Sequence, residues 1–172
     1  MILKIDNYHM KKLVVIAAFA LLVLGCSTDN ILSYADQLKK DVAAIDKYLD
    51  KNGITNVVID SLTGMRLVIE DAGSGIYPVL TSKLTVLYTG KFLNGEVFDQ
   101  STLNASGAPV AFTTPLSGLI EGWKIGFGTY VGKGGKATFY IPSGLAYGNS
   151  PPNGFPANAN LIFEVELIGF TN

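Results

Sequence analysis

Lys83-Leu84-Thr85-Val86-Leu87-Tyr88-Thr89-Gly90-Lys91-Phe92, then Leu93-Asn94-Gly95-Glu96, then Val97-Phe98-Asp99: this stretch decides the fold class. Leu84, Val86 and Tyr88 recur with a period of two, so an extended segment carries one apolar face. Asn94-Gly95 supplies residues suited to a tight hairpin, whose favoured turn needs φ above zero at its central positions. Lys83–Phe92 and Val97–Asp99 are therefore expected as antiparallel neighbours.

On the N-terminal side the same period marks Asn56–Asp60 and Arg66–Asp71, separated by the turn formers Ser61-Leu62-Thr63-Gly64, and Asp71–Pro78 reads as a loop. On the C-terminal side a loop from Gln100 to Ala108 leads to a short strand at Val110–Thr113. Lys136–Ile141 and Leu161–Gly169 alternate Ala137/Phe139/Ile141 and Leu161/Phe163/Val165/Leu167 toward one side. Between them, after Pro115, a helical period runs through Leu116, Ile120, Trp123 and Phe127. Gly118, Gly122 and Gly126 each weaken that helix by about 1 kcal/mol relative to Ala, so packing must hold it. Strands around one short helix predict an α+β domain.

Further upstream, after a polar tether from Ser27 to Asn30, Leu38, Val42, Ile45 and Leu49 line one face of an amphipathic helix over Ile31–Lys51, ended by Asn52-Gly53. Packing on its own domain is the expected role of that face. Pairing with a second copy, which makes a homodimer through residues 31–51 conceivable, and service as a spacer are the alternatives.

The N-terminus reads as an address. Lys11 and Lys12 precede an uninterrupted apolar run from Leu13 to Leu24, then Gly25 and Cys26. Twelve residues fall well short of the roughly 20 that span a bilayer as a helix, so a signal peptide over 1–25 is expected rather than a membrane span. Leu22-Val23-Leu24-Gly25-Cys26 resembles the bacterial lipobox, which implies lipidation of Cys26 and an exported, membrane-anchored product on the periplasmic or cell-surface side. Asp6 and His9 precede the basic residues, so Met1 and Met10 both stand as starts.

His9 is the only His and Cys26 the only Cys, and processing removes the first from the body of the protein. That body then holds no Ser-His or Cys-His nucleophilic pair, no His acid or base, and no Cys/His zinc site. The full chain carries a net charge of −1 from 13 basic and 14 acidic groups. Loss of Lys4, Lys11, Lys12 and Asp6 leaves 10 against 13, a net −3, and no basic patch for nucleic acid. A length of 172 residues suits one domain with short extras: a signal peptide over 1–25, a lipidated Cys, tether and helix over 26–53, a connecting strand and turn over 54–65, and the main domain over 66–172.

Five motifs stand in order along that domain: Tyr88-Thr89-Gly90; Gly95-x-x-Phe98-Asp99; Gly118-Leu119-Ile120-x-Gly122-Trp123; Ile141-Pro142-Ser143-x-Leu145-Ala146-Tyr147-Gly148; and Leu161-Ile162-Phe163-Glu164-Val165-Glu166-Leu167. In type, order and spacing they resemble an FK506-binding-type peptidyl-prolyl isomerase domain over about Arg66 to Asn172. The resemblance implies an antiparallel, strongly curved sheet wrapped around one short helix. It also implies acceleration of X-Pro bond rotation in other polypeptides, here proline-containing exported ones.

That reaction suits a domain without His or Cys. Amide resonance sets a barrier of about 18–20 kcal/mol, and the twisted amide is less polar than the planar one, so an apolar pocket favours it without nucleophile, metal or cofactor. By resemblance, Trp123 floors an aromatic cup walled by Tyr88, Phe98 and Phe163, with Leu119 and Ile120 at its edge. Ile120 offers its backbone N–H to a substrate carbonyl, Asp99 sits beside the reacting amide, and the Tyr147 hydroxyl donates to a carbonyl of the bound segment. Ala146 and Phe155 line the loop that closes over the site.

Packing alone accounts for Phe112, Phe127, Phe139 and Tyr140. Trp123 and Phe98 serve core and pocket at once, and Asp99 has a local alternative as a cap on the turn into Ser101. Three departures from the family pattern stand out: Val110 where an aromatic wall is common, Phe155-Pro156-Ala157 in the closing loop, and Thr81 in place of a glycine. Val110 leaves room for a second reading, a catalytically weak chaperone or proline-segment binding module. A structural lipoprotein using the same fold is the third.

Overall fold

A computed structural model describes residues 28–172, with side chains from residue 34, so the expected signal peptide and Cys26 lie outside the described residues. Asp36–Asn172 forms one compact unit. Its elements are helix α1 (Thr28–Lys51), strands β1 (Val58–Ile59), β2 (Arg66–Asp71), β3 (Lys83–Phe92), β4 (Val97–Gln100) and β5 (Phe112–Pro115), helix α2 (Glu121–Ile125), and strands β6 (Lys136–Ile141) and β7 (Leu161–Thr171). All pairings are antiparallel, in the order β1-β2-β6-β7-β3-β4, with β5 pairing β3 beyond that path. The α+β class and the hairpin at Asn94-Gly95 are as expected.

The concave face of this sheet closes on α2. Leu84 and Val86 of β3, Ala137, Phe139 and Ile141 of β6, and Leu161, Phe163, Val165 and Leu167 of β7 meet Trp123 and Phe127 in one buried cluster. These are the period-two residues of each strand, so the sequence alternation becomes the core face. Gly122 and Gly126 show why a glycine-rich helix belongs here. A Cβ on Gly122 would stand 2.6 Å from Ile141 Cγ2, and one on Gly126 would collide with the Phe139 ring. Their lost helix propensity is offset by the close approach of α2 to β6.

A second core lies on the other face. Ile45 and Leu49 of α1 pack on Tyr140 and Ile162, with Tyr48, Val57, Val68 and Leu93 around them. The amphipathic face of α1 thus covers its own domain. Burial from both sides explains why β6 is buried from Ala137 to Ile141 without interruption. Arg66 anchors the same helix: its guanidinium donates from Nε to Asp46 Oδ1 at 2.8 Å and from Nη2 to Oδ2 at 3.0 Å.

Several boundaries differ from the sequence reading. α1 begins at Thr28, so Thr28–Asn30 is helix and not tether; neither Gly nor Pro interrupts it. β1 shrinks to Val58–Ile59 because Asp60 turns the chain, its Oδ1 accepting the N–H groups of Leu62 and Thr63. The single helix expected from Leu116 breaks into a 3₁₀ turn (Leu116–Gly118), α2, and a π turn (Gly126–Tyr130). Leu119 and Ile120 are extended between the 3₁₀ turn and α2, and the N–H groups of Leu116 and Ser117, which a helix leaves without internal acceptors, bond the carbonyls of Ser82 and Leu80. β5 starts at Phe112, two residues late, because Val110 donates its N–H to the Thr102 carbonyl at 2.7 Å within the preceding loop.

Candidate active site

Eleven residues enclose a cleft of about 410 Å³ between the sheet and the start of α2: Tyr88, Phe98, Asp99, Phe112, Gly118, Leu119, Ile120, Trp123, Tyr147, Phe155 and Phe163. Its size and apolar lining suit a small ligand or a short chain segment. Trp123, only 3% exposed, lies at its base. The indole meets Tyr88 at 5.5 Å and 79°, Phe163 at 5.1 Å and 89°, and Phe127 at 5.4 Å and 74°, all edge-to-face. Edge-to-face pairs at these distances add about 0.5–1.5 kcal/mol each beyond burial, so the floor is fixed by its neighbours. Its Nε1–H has no acceptor among the described residues, a cost of about 1–3 kcal/mol that the ring's packing offsets.

The walls come from different strands. Phe98 of β4 contacts Phe163 of β7 at 5.5 Å and Phe155 at 4.9 Å, and Phe155 meets Tyr147 at 5.0 Å. β3 brings these walls together through Gly90, where a Cβ would stand 2.7 Å from Phe98 Cε2 and Cζ and 3.0 Å from Phe163 Cε1. The glycine of the Tyr88-Thr89-Gly90 motif therefore makes room for two rings of the cleft.

Polar groups are few and placed at the edge. The Tyr88 hydroxyl donates to Asp99 Oδ2 at 2.8 Å, while Asp99 Oδ1 accepts the Gln100 N–H at 2.9 Å. One carboxylate oxygen thus serves the local turn and the other faces Tyr88. Burial, then the bond to Asp99 and the charge of Asp99, push Tyr88 up to about 12. Burial followed by the Asp99 charge also raises Tyr147. Both hydroxyls consequently hold their protons at any physiological pH. Ile120, extended at φ −60°, ψ 153°, accepts the Trp123 N–H at 3.0 Å on its carbonyl, and its own N–H meets no backbone acceptor among the described residues.

Nine of the anticipated residues line this cleft: Tyr88, Phe98, Asp99, Leu119, Ile120, Trp123, Tyr147, Phe155 and Phe163. Two do not. Val110, 45% exposed, stands in the loop before β5, and Ala146 packs half-buried against the core edge. Phe112 corrects the packing assignment given to it. It is 43% exposed, pairs with Val86 across β5 and β3, lines the cleft, and stands 6.0 Å from the Tyr88 ring. Its pairing with Val86, two residues before Tyr88 on the same face of β3, puts the ring beside Tyr88, a partner that the sequence alone does not name. Phe127 and Phe139 are fully buried and Tyr140 lies in the second core, as packing residues should. Another hollow of about 340 Å³ is bordered by Glu70, Lys136, Glu164 and Glu166, with Tyr88 its single aromatic residue.

Known proteins give the same picture. FKBP-type 22 kDa peptidyl-prolyl cis-trans isomerase of Escherichia coli is 37% identical over 123 residues, covering 71% of this chain and 57% of its own length. FKBP-type peptidyl-prolyl cis-trans isomerase FkpA of Buchnera aphidicola is 42% identical over 110 residues, covering 64% and 44%. The chain thus spans about half the length of these relatives. The crystal structure of FkpA from Escherichia coli superposes with a TM-score of 0.63 at 28% identity, covering 98% of this chain and 84% of that one. The family model described as FKBP-type peptidyl-prolyl cis-trans isomerase matches residues 76–168, more than half of the sequence. With its cleft walls contributed by that matched segment, the chain belongs to the FKBP-type peptidyl-prolyl cis-trans isomerase family.

Proposed function

We propose that this protein accelerates cis–trans rotation of X-Pro bonds in exported polypeptides. The observation that carries the reading is the aromatic cup over Trp123, lined by Tyr88, Phe98, Phe112, Tyr147, Phe155 and Phe163 with few polar groups among them. A proline ring seated there leaves water, and the twisted amide, having lost resonance and carbonyl polarity, is destabilised less by desolvation than the planar one. The Ile120 N–H and Tyr147 O–H hold the flanking carbonyls while the bond turns, and Asp99 acts on the altered dipole of the reacting amide. No covalent intermediate arises, so each factor of ten in rate corresponds to about 1.36 kcal/mol of preferential binding to the twisted state. Phe112 supplies an aromatic wall to the cleft where Val110 supplies none.

Cis–trans exchange of proline peptides with varied preceding residues, followed by NMR on residues 27–172, tests this. Asp99→Ala and Trp123→Ala should each lower the rate substantially. No acceleration by the unaltered protein, together with persistent binding of unfolded polypeptides, would establish the chaperone reading instead. The location rests on the sequence: the basic residues, the apolar run and the lipobox-like Leu22–Cys26 support lipid attachment at Cys26. Among the described residues no helix is long and apolar enough to cross a membrane. Several acyl chains on Cys26 anchor the protein stably. Cys26→Ser should release it from the membrane fraction, and unchanged retention there refutes the assignment. Pairing of two copies through residues 31–51 is the remaining proposal, read by sedimentation; with Ile45 and Leu49 already buried in the domain, it must use the exposed side of α1.

A further inference from the structure

Asp41 is a buried carboxylate outside the segment that the family model matches. It lies on α1, is 3% exposed, and faces the two ends of the loop that carries Tyr147 and Phe155. Its Oδ2 accepts the Ser143 N–H at 2.9 Å and the Ser143 O–H at 2.6 Å, and its Oδ1 accepts from Gln37 Nε2 at 2.7 Å. At the other end of the loop, Asn160 Oδ1 accepts the same Ser143 N–H at 3.1 Å, and Asn160 Nδ2 donates to the Asp41 carbonyl at 3.2 Å. Asp41, Ser143 and Asn160 thereby form a closed, buried ring of hydrogen bonds across the base of the loop.

The ring reaches the cleft through one more residue. The Ser143 carbonyl accepts the N–H of Ala146 at 3.0 Å and of Gly148 at 2.9 Å, the two residues flanking Tyr147, and the Gly148 carbonyl accepts the Asn158 N–H at 2.7 Å. Tyr147 in turn packs on Phe155. A buried carboxylate demands satisfied partners, and charge-assisted bonds such as Oδ2 to the Ser143 hydroxyl are the strong ones. The position of Ser143 is therefore imposed from α1, and the orientation of Tyr147 follows from Ser143.

We propose that Asp41 is a positioning residue that sets the Tyr147–Phe155 rim of the cleft, making α1 part of the site. The inference rests on the isomerase reading for its kinetic consequence, but its structural consequence is measurable without it. Asp41→Ala, Asp41→Asn and Ser143→Ala in the full chain should be compared by amide hydrogen exchange and by proline-peptide isomerisation. In Asp41→Ala the amides of Ala146, Gly148 and Asn158 should exchange at least about tenfold faster, while those of β3 and β7 keep their protection. kcat/KM should fall by about tenfold, since small misplacement of a group that holds the substrate is costly. Asp41→Asn, which retains an acceptor for Ser143, should restore most of both. Ser143→Ala, a milder change, should reproduce the local pattern at smaller amplitude and covers the case in which Asp41→Ala does not fold. Unchanged loop exchange, or acceleration spread evenly through the sheet, overturns the proposal. A protein that catalyses nothing but shows the local pattern refutes the isomerase reading alone.

Discussion

Gly90→Ala is the sharpest test of how the cleft is built. The added Cβ would lie 2.7 Å from two atoms of the Phe98 ring and 3.0 Å from Phe163, whereas carbon atoms rest about 3.5–4.0 Å apart. Phe98 must therefore retreat by about 1 Å. It has little room, because Phe92, Phe155 and Phe163 surround it at centroid distances of 4.9, 4.9 and 5.5 Å. Overpacking of this kind costs about 1–3 kcal/mol. Replacing glycine in a strand interior returns about 0.5–1 kcal/mol of backbone entropy, which leaves a net loss of up to about 2.5 kcal/mol. In a domain of this size that lowers Tm by up to about 10 °C. The same ring forms a wall of the cleft, so isomerisation of a proline peptide should fall by about ten- to a hundredfold. Urea unfolding, a thermal scan and NMR exchange read the two effects separately. Stability and turnover both equal to the unaltered protein would refute the reasoning, since the rings would then swing aside freely.

The remaining predictions concern charge and packing elsewhere. Tyr88 and Tyr140 are both pushed from 10.0 up to about 12, chiefly by burial, so the folded state holds these protons more tightly than the unfolded chain. Their stabilisation is complete below pH 10 and is lost as pH rises through about 12; alkaline unfolding followed by tyrosinate absorbance should show this, with a smaller loss in Tyr88→Phe. Gly126→Ala should destabilise by about 1–3 kcal/mol through its collision with Phe139, despite the helix propensity it gains. Gly128→Ala, whose nearest neighbour would be the Pro78 carbonyl at 3.9 Å, should be neutral or stabilising by about 0.4–1 kcal/mol in the same urea titration. Asp46→Ala leaves the buried Arg66 guanidinium with only the Gly64 and Met65 carbonyls and should cost about 1–2 kcal/mol, moderated because Asp46 is half in solvent.

Much of this protein is local in origin and was legible in the chain. Period-two alternation marked β2, β3, β6 and β7, because strand faces are set by neighbours in sequence, and the Asn94-Gly95 turn marked β4. Trp123, Phe98, Asp99, Tyr147 and Phe163 were candidates because the motifs that hold them resemble those of the FK506-binding type. The lack of His in the body narrowed the chemistry before any coordinate was known. Tertiary structure decided the rest. Pairing with Val86 puts Phe112 on the sheet face that Tyr88 shares, while Val110 stays in the preceding loop with its N–H on the Thr102 carbonyl, partners that no local pattern encodes. The extended Leu119-Ile120 before α2 and the π turn after it interrupt the helical period that the sequence carries from Leu116 to Phe127. Asp41 looked like one more charge on an amphipathic helix. Its burial against Ser143 and Asn160, residues 102 and 119 positions away, exists only once the sheet has folded and α1 has closed over its back.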